Sequence, residues 1–149
     1  MPTFNVYGLI IVAAILIPNV VFAVKNKDGF ENVQIDKRIE IIEQTGRFGC
    51  FIFMIVNVPG TCFGWWFLNA LTVYLITDAF LTAAYVLIWI ICFKRNSLFR
   101  ALALSIIPSV MFLASGVITA SVLLLAVAAL FAPSHIYISY KNATALKKA

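Results

Sequence analysis

The chain has 149 residues, 63% of them apolar and 11% charged, against roughly 45–50% and about 25% in a soluble globular domain. A mean hydropathy of +1.02 excludes an ordinary water-soluble fold and points to lipid, where a helix satisfies its own backbone polar groups. The net charge of +5 would suggest nucleic acid only if the basic residues formed one patch, and their positions assign them to topology instead.

The first apolar run, from about Tyr7 to Val24, approaches the roughly 20 residues that an α-helix needs to cross a bilayer. No basic segment precedes it and its first basic residue is Lys25, so a retained span over 6–24 is expected rather than a cleaved signal peptide. After a turn-like Lys27-Asp28-Gly29, residues 32–46 place Ile35, Ile39 and Ile42 on one helical face and Asp36, Lys37, Glu40 and Glu43 elsewhere. This segment is expected as a cytoplasmic amphipathic helix on the membrane surface, read as a lead-in anchor in preference to a docking helix. Glu43 and Arg47, four residues apart, would add a surface ion pair of a few tenths of a kcal/mol, roughly.

Between Phe48 and Phe93 the only formal charge is Asp78, a length that fits two spans, 47–64 and 67–93, joined near Val58-Pro59-Gly60-Thr61-Cys62-Phe63-Gly64. Ala101 to Tyr140 is uncharged and again fits two spans, 101–116 and 119–140, with a turn near Ser115-Gly116. The expected fold is thus a single all-α domain, 1–149, a polytopic transmembrane bundle of five spans.

With these spans every basic residue falls on one side: Lys25, Lys27, Lys37, Arg38 and Arg47, then Lys94, Arg95 and Arg100, then Lys141, Lys147 and Lys148. Lysine and arginine near span ends stay cytoplasmic, which predicts the N-terminus outside and the C-terminus inside. Trp65 and Trp66 at the outer turn, and Trp89, Tyr137 and Tyr140 near inner ends, suit the aromatic belts of the two interfaces.

Asp78 is the most informative residue, because a carboxyl inside a span is costly and must be paired, neutral or facing water. Tyr74, Asp78, Thr82 and Tyr85 share one helical face with Trp89, a polar stripe that should point at protein. Asn57, at comparable depth in the preceding span, is the first candidate partner, and with no basic residue at that depth the neutral acid is favoured over the anion. The candidate intramembrane polar site is therefore Asp78, Asn57, Tyr74, Thr82 and Tyr85, with a structural hydrogen bond and a proton-carrying role equally weighted.

Pro18, Pro59, Pro108 and Pro133 place a proline in four of the five spans, a frequency ordinary for membrane helices although broken helices also line transporter sites. His135 is expected as an interface residue near the inner end of the last span. Gly60 and Gly64 form a GxxxG that suits a loop better than a dimer seam. Cys50, Cys62 and Cys92 lack metal-site spacing and are read as apolar thiols. No nucleotide loop, HExxH, GxSxG or serine-lysine set is present, so no catalytic, cofactor-binding or metal residue is assigned and no enzyme is expected.

The strings LIPNVVFAVKNKDGFEN, EIIEQTGRFGCFIFMIVNVPG, KRNSLFRALALSIIP and APSHIYISYKNA together resemble a group of small uncharacterised multi-span membrane proteins of Gram-positive bacteria. The resemblance runs over nearly the whole chain, implies a bacterial cytoplasmic membrane and brings no activity with it. The function expected first is a non-enzymatic membrane subunit or accessory protein. The alternative is a small proton-linked transporter or channel using Asp78. The partners expected are the lipid bilayer and either a membrane or cytoplasmic protein or a second copy of the chain, without nucleic acid.

Overall fold

The computed structural model describes residues 2–25, 35–94 and 97–145. Among them the fold is all-α, with five helices: α1 (Val6–Lys25), α2 (Lys37–Ile55), α3 (Ala70–Cys92), α4 (Leu98–Ile118) and α5 (Val122–Ala145). Four of these, α1, α3, α4 and α5, are long and apolar enough to cross a membrane. α2 carries Lys37, Arg38, Glu40, Glu43 and Arg47 and does not meet that measure.

Each helix packs against two neighbours in the order α1, α3, α4, α5, α2 and back to α1, with α2 also touching α4 across the ring. The interior is filled from several helices at once. Phe51 of α2, Phe112 of α4 and Phe131 of α5 stack edge to face at 5.9 and 5.8 Å, while Ile11, Val12 and Ile15 of α1 lie buried near Met54 and Met111 in the same core. Large apolar side chains such as Ile10, Ile17, Ile76, Phe80 and Ile90 point outward, which is the arrangement that lipid favours and water penalises.

Several expectations change. The segment 35–46 is not a separate surface helix. Asp36 caps a single continuous helix by accepting from the Arg38 amide at 2.9 Å, and the helix runs unbroken to Ile55. Glu43 lies against His135, Gly46 against Phe131 and Gly49 against Val127, so α2 runs antiparallel to α5 over these turns, within a helix of 19 residues, about 28 Å long at 1.5 Å per residue. The apolar run expected as a helix to residue 64 stops nine residues earlier, because Val56 turns extended and pairs with Phe4. Pro59 and Gly60 then form a turn outside any helix. The turn expected at Ser115-Gly116 lies instead at Thr119-Ala120, leaving Ser115 inside α4. Lys27, Asp28, Gly29, Glu31, Asn32, Val33, Gln34, Arg95, Lys147 and Lys148 lie outside the described residues.

The two ends of the bundle differ in chemistry. At one end residues 56–69, which contain no charge, form a cap. The Asn5 amide donates to Ile55 O at 2.7 Å and the Asn57 amide to Thr3 O at 2.8 Å, strapping the chain start to the end of α2. The Gly64 amide donates to Thr119 O at 3.0 Å, the Val122 amide to Thr61 O at 2.8 Å and Trp66 Nε1 to Val117 O at 2.9 Å, fixing the cap to the α4–α5 turn. At the other end Arg100 donates to Cys92 O and Phe93 O at 3.3 and 3.1 Å, neutralising the exposed carbonyls of the α3 C-terminus. Its guanidinium also sits 5.0 Å from the Phe22 ring and 5.8 Å from Trp89, and Lys25 lies 5.8 Å over Phe93. Trp89 stands near this end of α3, as expected, but buried under Arg100 at 4% exposure and not open to headgroups.

Candidate functional site

The stripe on α3 faces the interior, with Tyr74, Asp78 and Tyr85 buried and Thr82 half-buried, but its partners are not those expected. Asp78 is fully buried, and the Ser115 hydroxyl lies 3.0 and 2.8 Å from its two carboxyl oxygens. Asn57 is elsewhere: it belongs to the cap, where its amide nitrogen donates to Pro2 O at 2.7 Å and its oxygen accepts from the Cys62 thiol at 3.6 Å. The reason is topological. α3 packs between α1 and α4, so the group that faces Asp78 comes from α4 and not from the end of α2.

A hydroxyl can donate to either carboxyl oxygen and can also accept from the neutral acid, so this one partner serves Asp78 in both protonation states. Thr119, one turn beyond Ser115, donates back to Ser115 O at 2.7 Å, which satisfies its own buried hydroxyl within the helix.

The rest of the stripe forms rungs to α1. Asn5, which precedes α1, donates to the Tyr74 hydroxyl at 3.2 Å and to Met54 O at 3.2 Å, and accepts from the Gly8 amide at 3.2 Å. Two turns past Asp78 the Tyr85 hydroxyl donates to Asn19 Oδ1 at 2.8 Å. Thr82 stands between them, its buried hydroxyl without a hydrogen-bond partner among the described residues. Tyr74, Asp78 and Tyr85 are thus brought into one interior seam, Thr82 lines it without a bond, and Asn57, which does not bond to Asp78, borders one small void with Tyr74, Asn5 and Ser115.

A second polar cluster was expected only in part. Glu43 and Arg47 do pair, but Glu43 is 2% exposed and no surface residue. Arg47 Nε donates to Glu43 Oε1 at 3.0 Å, and His135 Nδ1 lies 2.8 Å from the same oxygen. His135 is accordingly not a snorkelling interface residue; it ties α5 to α2 and stacks on Phe131, with ring centroids 4.6 Å apart. Glu43→Gln should cost about 1 kcal/mol, since it removes the charge that Arg47 and His135 share. Unfolding in mixed detergent checks this, and a variant as stable as the unaltered chain would refute the assignment.

Three prolines, Pro18, Pro108 and Pro133, lie inside helices. Asn19 and Ser109 next to two of them bond back to Ile15 O and Ser105 O at 3.1 and 2.7 Å, which keeps their polar groups off the lipid face. Across the α4–α5 seam the Ser105 and Ser139 hydroxyls bond to each other. Among the described residues no three His, Cys, Asp or Glu side chains stand together as a metal set. Cys50 and Cys92 are buried and Cys62 is half-buried.

Sequence reasoning passed over Ser115, Asn5 and Asn19. Ser115 was assigned to a turn, and Asn5 lies just before the apolar run that defined the first span. Compared with known proteins, the chain matches no family model, no curated protein and no solved structure.

Proposed function

We propose that the chain is a five-span protein of a bacterial cytoplasmic membrane, with the uncharged cap outside and the charge-bearing end in the cytoplasm. In this reading it acts as a non-enzymatic subunit or accessory protein. The observation that carries it is the use made of interior polarity. Asp78 bonds to Ser115, Tyr74 to Asn5, Tyr85 to Asn19 and Glu43 to His135, each joining two segments of the same chain. Polar groups spent on holding helices together serve as interhelical glue.

Five crossings are supported by the course of α2, which begins beside the C-terminal half of α5 and ends at the start of α1. A helix that covers the same distance as its neighbours separates its two ends by the same thickness. The orientation is supported by the charge: six of the seven described basic residues, Lys25, Lys37, Arg38, Lys94, Arg100 and Lys141, flank helix ends that meet at one end of the bundle, with Arg47 alone farther along α2, and such residues stay cytoplasmic.

On this reading a partner meets the exposed Asp36, Lys37 and Arg38 at the start of α2. A photo-crosslinker placed at Lys37 should capture one reproducible second chain in membranes, and the same group at Leu68 should not. Repeated recovery of an uncrosslinked chain from both sites would count against it.

One observation favours proton-linked transport as a second reading. Among the described residues Asp78 bonds to a hydroxyl and forms no ion pair, and the Thr82 hydroxyl one turn farther along the same seam has no hydrogen-bond partner, a pattern that suits a proton relay. Unchanged proton flux in proteoliposomes on Asp78→Asn would remove its main support; loss of flux with retained folding would favour it over the accessory reading.

A further inference from the structure

The antiparallel pair α2–α5 leaves an apolar groove of about 310 Å³ on its outer side, within the roughly 300–1,000 Å³ of small-molecule sites. Ile39 and Ile42 of α2 form one wall, and Leu130, Pro133 and Tyr137 of α5 form the other. Ser134 on the floor turns its hydroxyl back to Leu130 O at 2.7 Å, so the polar atom is satisfied within the helix. From Leu130 to Tyr137 the groove runs about two helical turns, roughly 10 Å along the bundle axis.

Its mouth is at the charge-bearing end. Lys141, one turn past Tyr137, holds its ammonium 5.2 Å over the Tyr137 ring, which places a positive charge directly above the groove. Arg38 stands four residues before Ile42 and so shares its face, and the register that sets Glu43 beside His135 and Gly46 beside Phe131 brings it level with the last turn of this wall. Both side chains are exposed. The nearby acids point elsewhere: Asp36 caps the helix, Glu43 is buried against His135, and Glu40 falls on the far side of the α2 wheel from Ile42.

We propose that this groove binds an anionic phospholipid of the cytoplasmic leaflet, an acyl chain lying between Ile42 and Leu130 and the phosphate meeting Arg38 and Lys141. The two requirements of such a lipid, an apolar channel running into the hydrocarbon and a positive mouth at headgroup depth, coincide here. The site lies outside the Asp78 seam and stands whether that seam is structural or carries protons.

The test uses the full chain in vesicles with spin-labelled phosphatidylglycerol or phosphatidylcholine, reading the motionally restricted fraction of each. A phosphatidylglycerol preference of about fivefold or more is expected, since one basic group at an anionic surface contributes a gain of about that size. It should fall to near unity in Arg38→Gln/Lys141→Gln, survive the charge-keeping pair Arg38→Lys/Lys141→Arg, and survive Lys94→Gln at the same end. Ala129→Phe, which fills the groove, should lower the restricted fraction of both lipids. High salt should abolish the preference of the unaltered protein, a readout that needs no variant to fold. Equal restriction of the two lipids, a preference that persists in the neutralised pair, or an equal fall with Lys94→Gln would each overturn the proposal. Cross-linking of two copies through Ile42→Cys, with loss of restricted lipid, would assign the groove to a second copy instead.

Discussion

Gly8→Ala is expected to destabilise the bundle by about 3 kcal/mol, the upper end of what overpacking usually costs. A Cβ at this position would stand 1.9 Å from the Met54 carbonyl oxygen, which is backbone and is held in place by the Asn5 side chain. Nothing flexible can move aside. Gly46→Ala should cost less, because its Cβ would meet Phe131 backbone atoms at 2.9 Å, and Gly49→Ala least, at about 1 kcal/mol, since the nearest atom is the tip of Val127 at 2.8 Å. Unfolding of the three variants in mixed detergent should reproduce that order. A Gly8→Ala protein as stable as Gly49→Ala would mean that α1 does not approach α2 as closely as described.

The second large effect concerns the acid. Ser115→Ala should cost about 2 kcal/mol, because it strands the Asp78 carboxyl at zero exposure. Asp78→Asn should cost less, as the amide still pairs with Ser115. Replacing both partners in Asp78→Leu/Ser115→Ala should recover part of the loss, giving a coupling of about 1 kcal/mol in the double-mutant cycle. Additive losses would show that the two side chains do not act as a pair.

Much of this fold was legible in the sequence, for a definite reason. Long uncharged runs bounded by lysine and arginine mark α1, α3, α4 and α5 within a few residues of their ends, because the bilayer imposes length and composition together. The same pattern also marked Asp78 and its stripe as facing protein. What failed depended on tertiary choice. The forty uncharged residues from Ala101 to Tyr140 contain no charge to fix the turn. Placing the turn near Ser115-Gly116 set the very hydroxyl that Asp78 uses at the extreme end of the span 101–116, whereas it lies inside α4.

α2 misled in the opposite way. Its charges looked like those of a surface helix, but Glu43 and Arg47 satisfy each other and His135 inside the bundle, so polarity turned toward a neighbouring helix resembled polarity along a membrane plane. Asn57 failed for a simpler reason. Val56 leaves the helix to pair with Phe4, a backbone contact that side-chain periodicity does not encode.

The course of α2 carries the topology, and labelling from the two sides of the membrane tests it most directly. In a background with Cys50, Cys62 and Cys92 replaced by serine, single cysteines are placed at Arg38, exposed at the start of α2, and at Leu68, 88% exposed in the cap. A membrane-impermeant maleimide should label Leu68→Cys in intact cells and reach Arg38→Cys only after permeabilisation. Labelling of both positions from the same side would mean that α2 does not cross, and would contradict the five-span bundle.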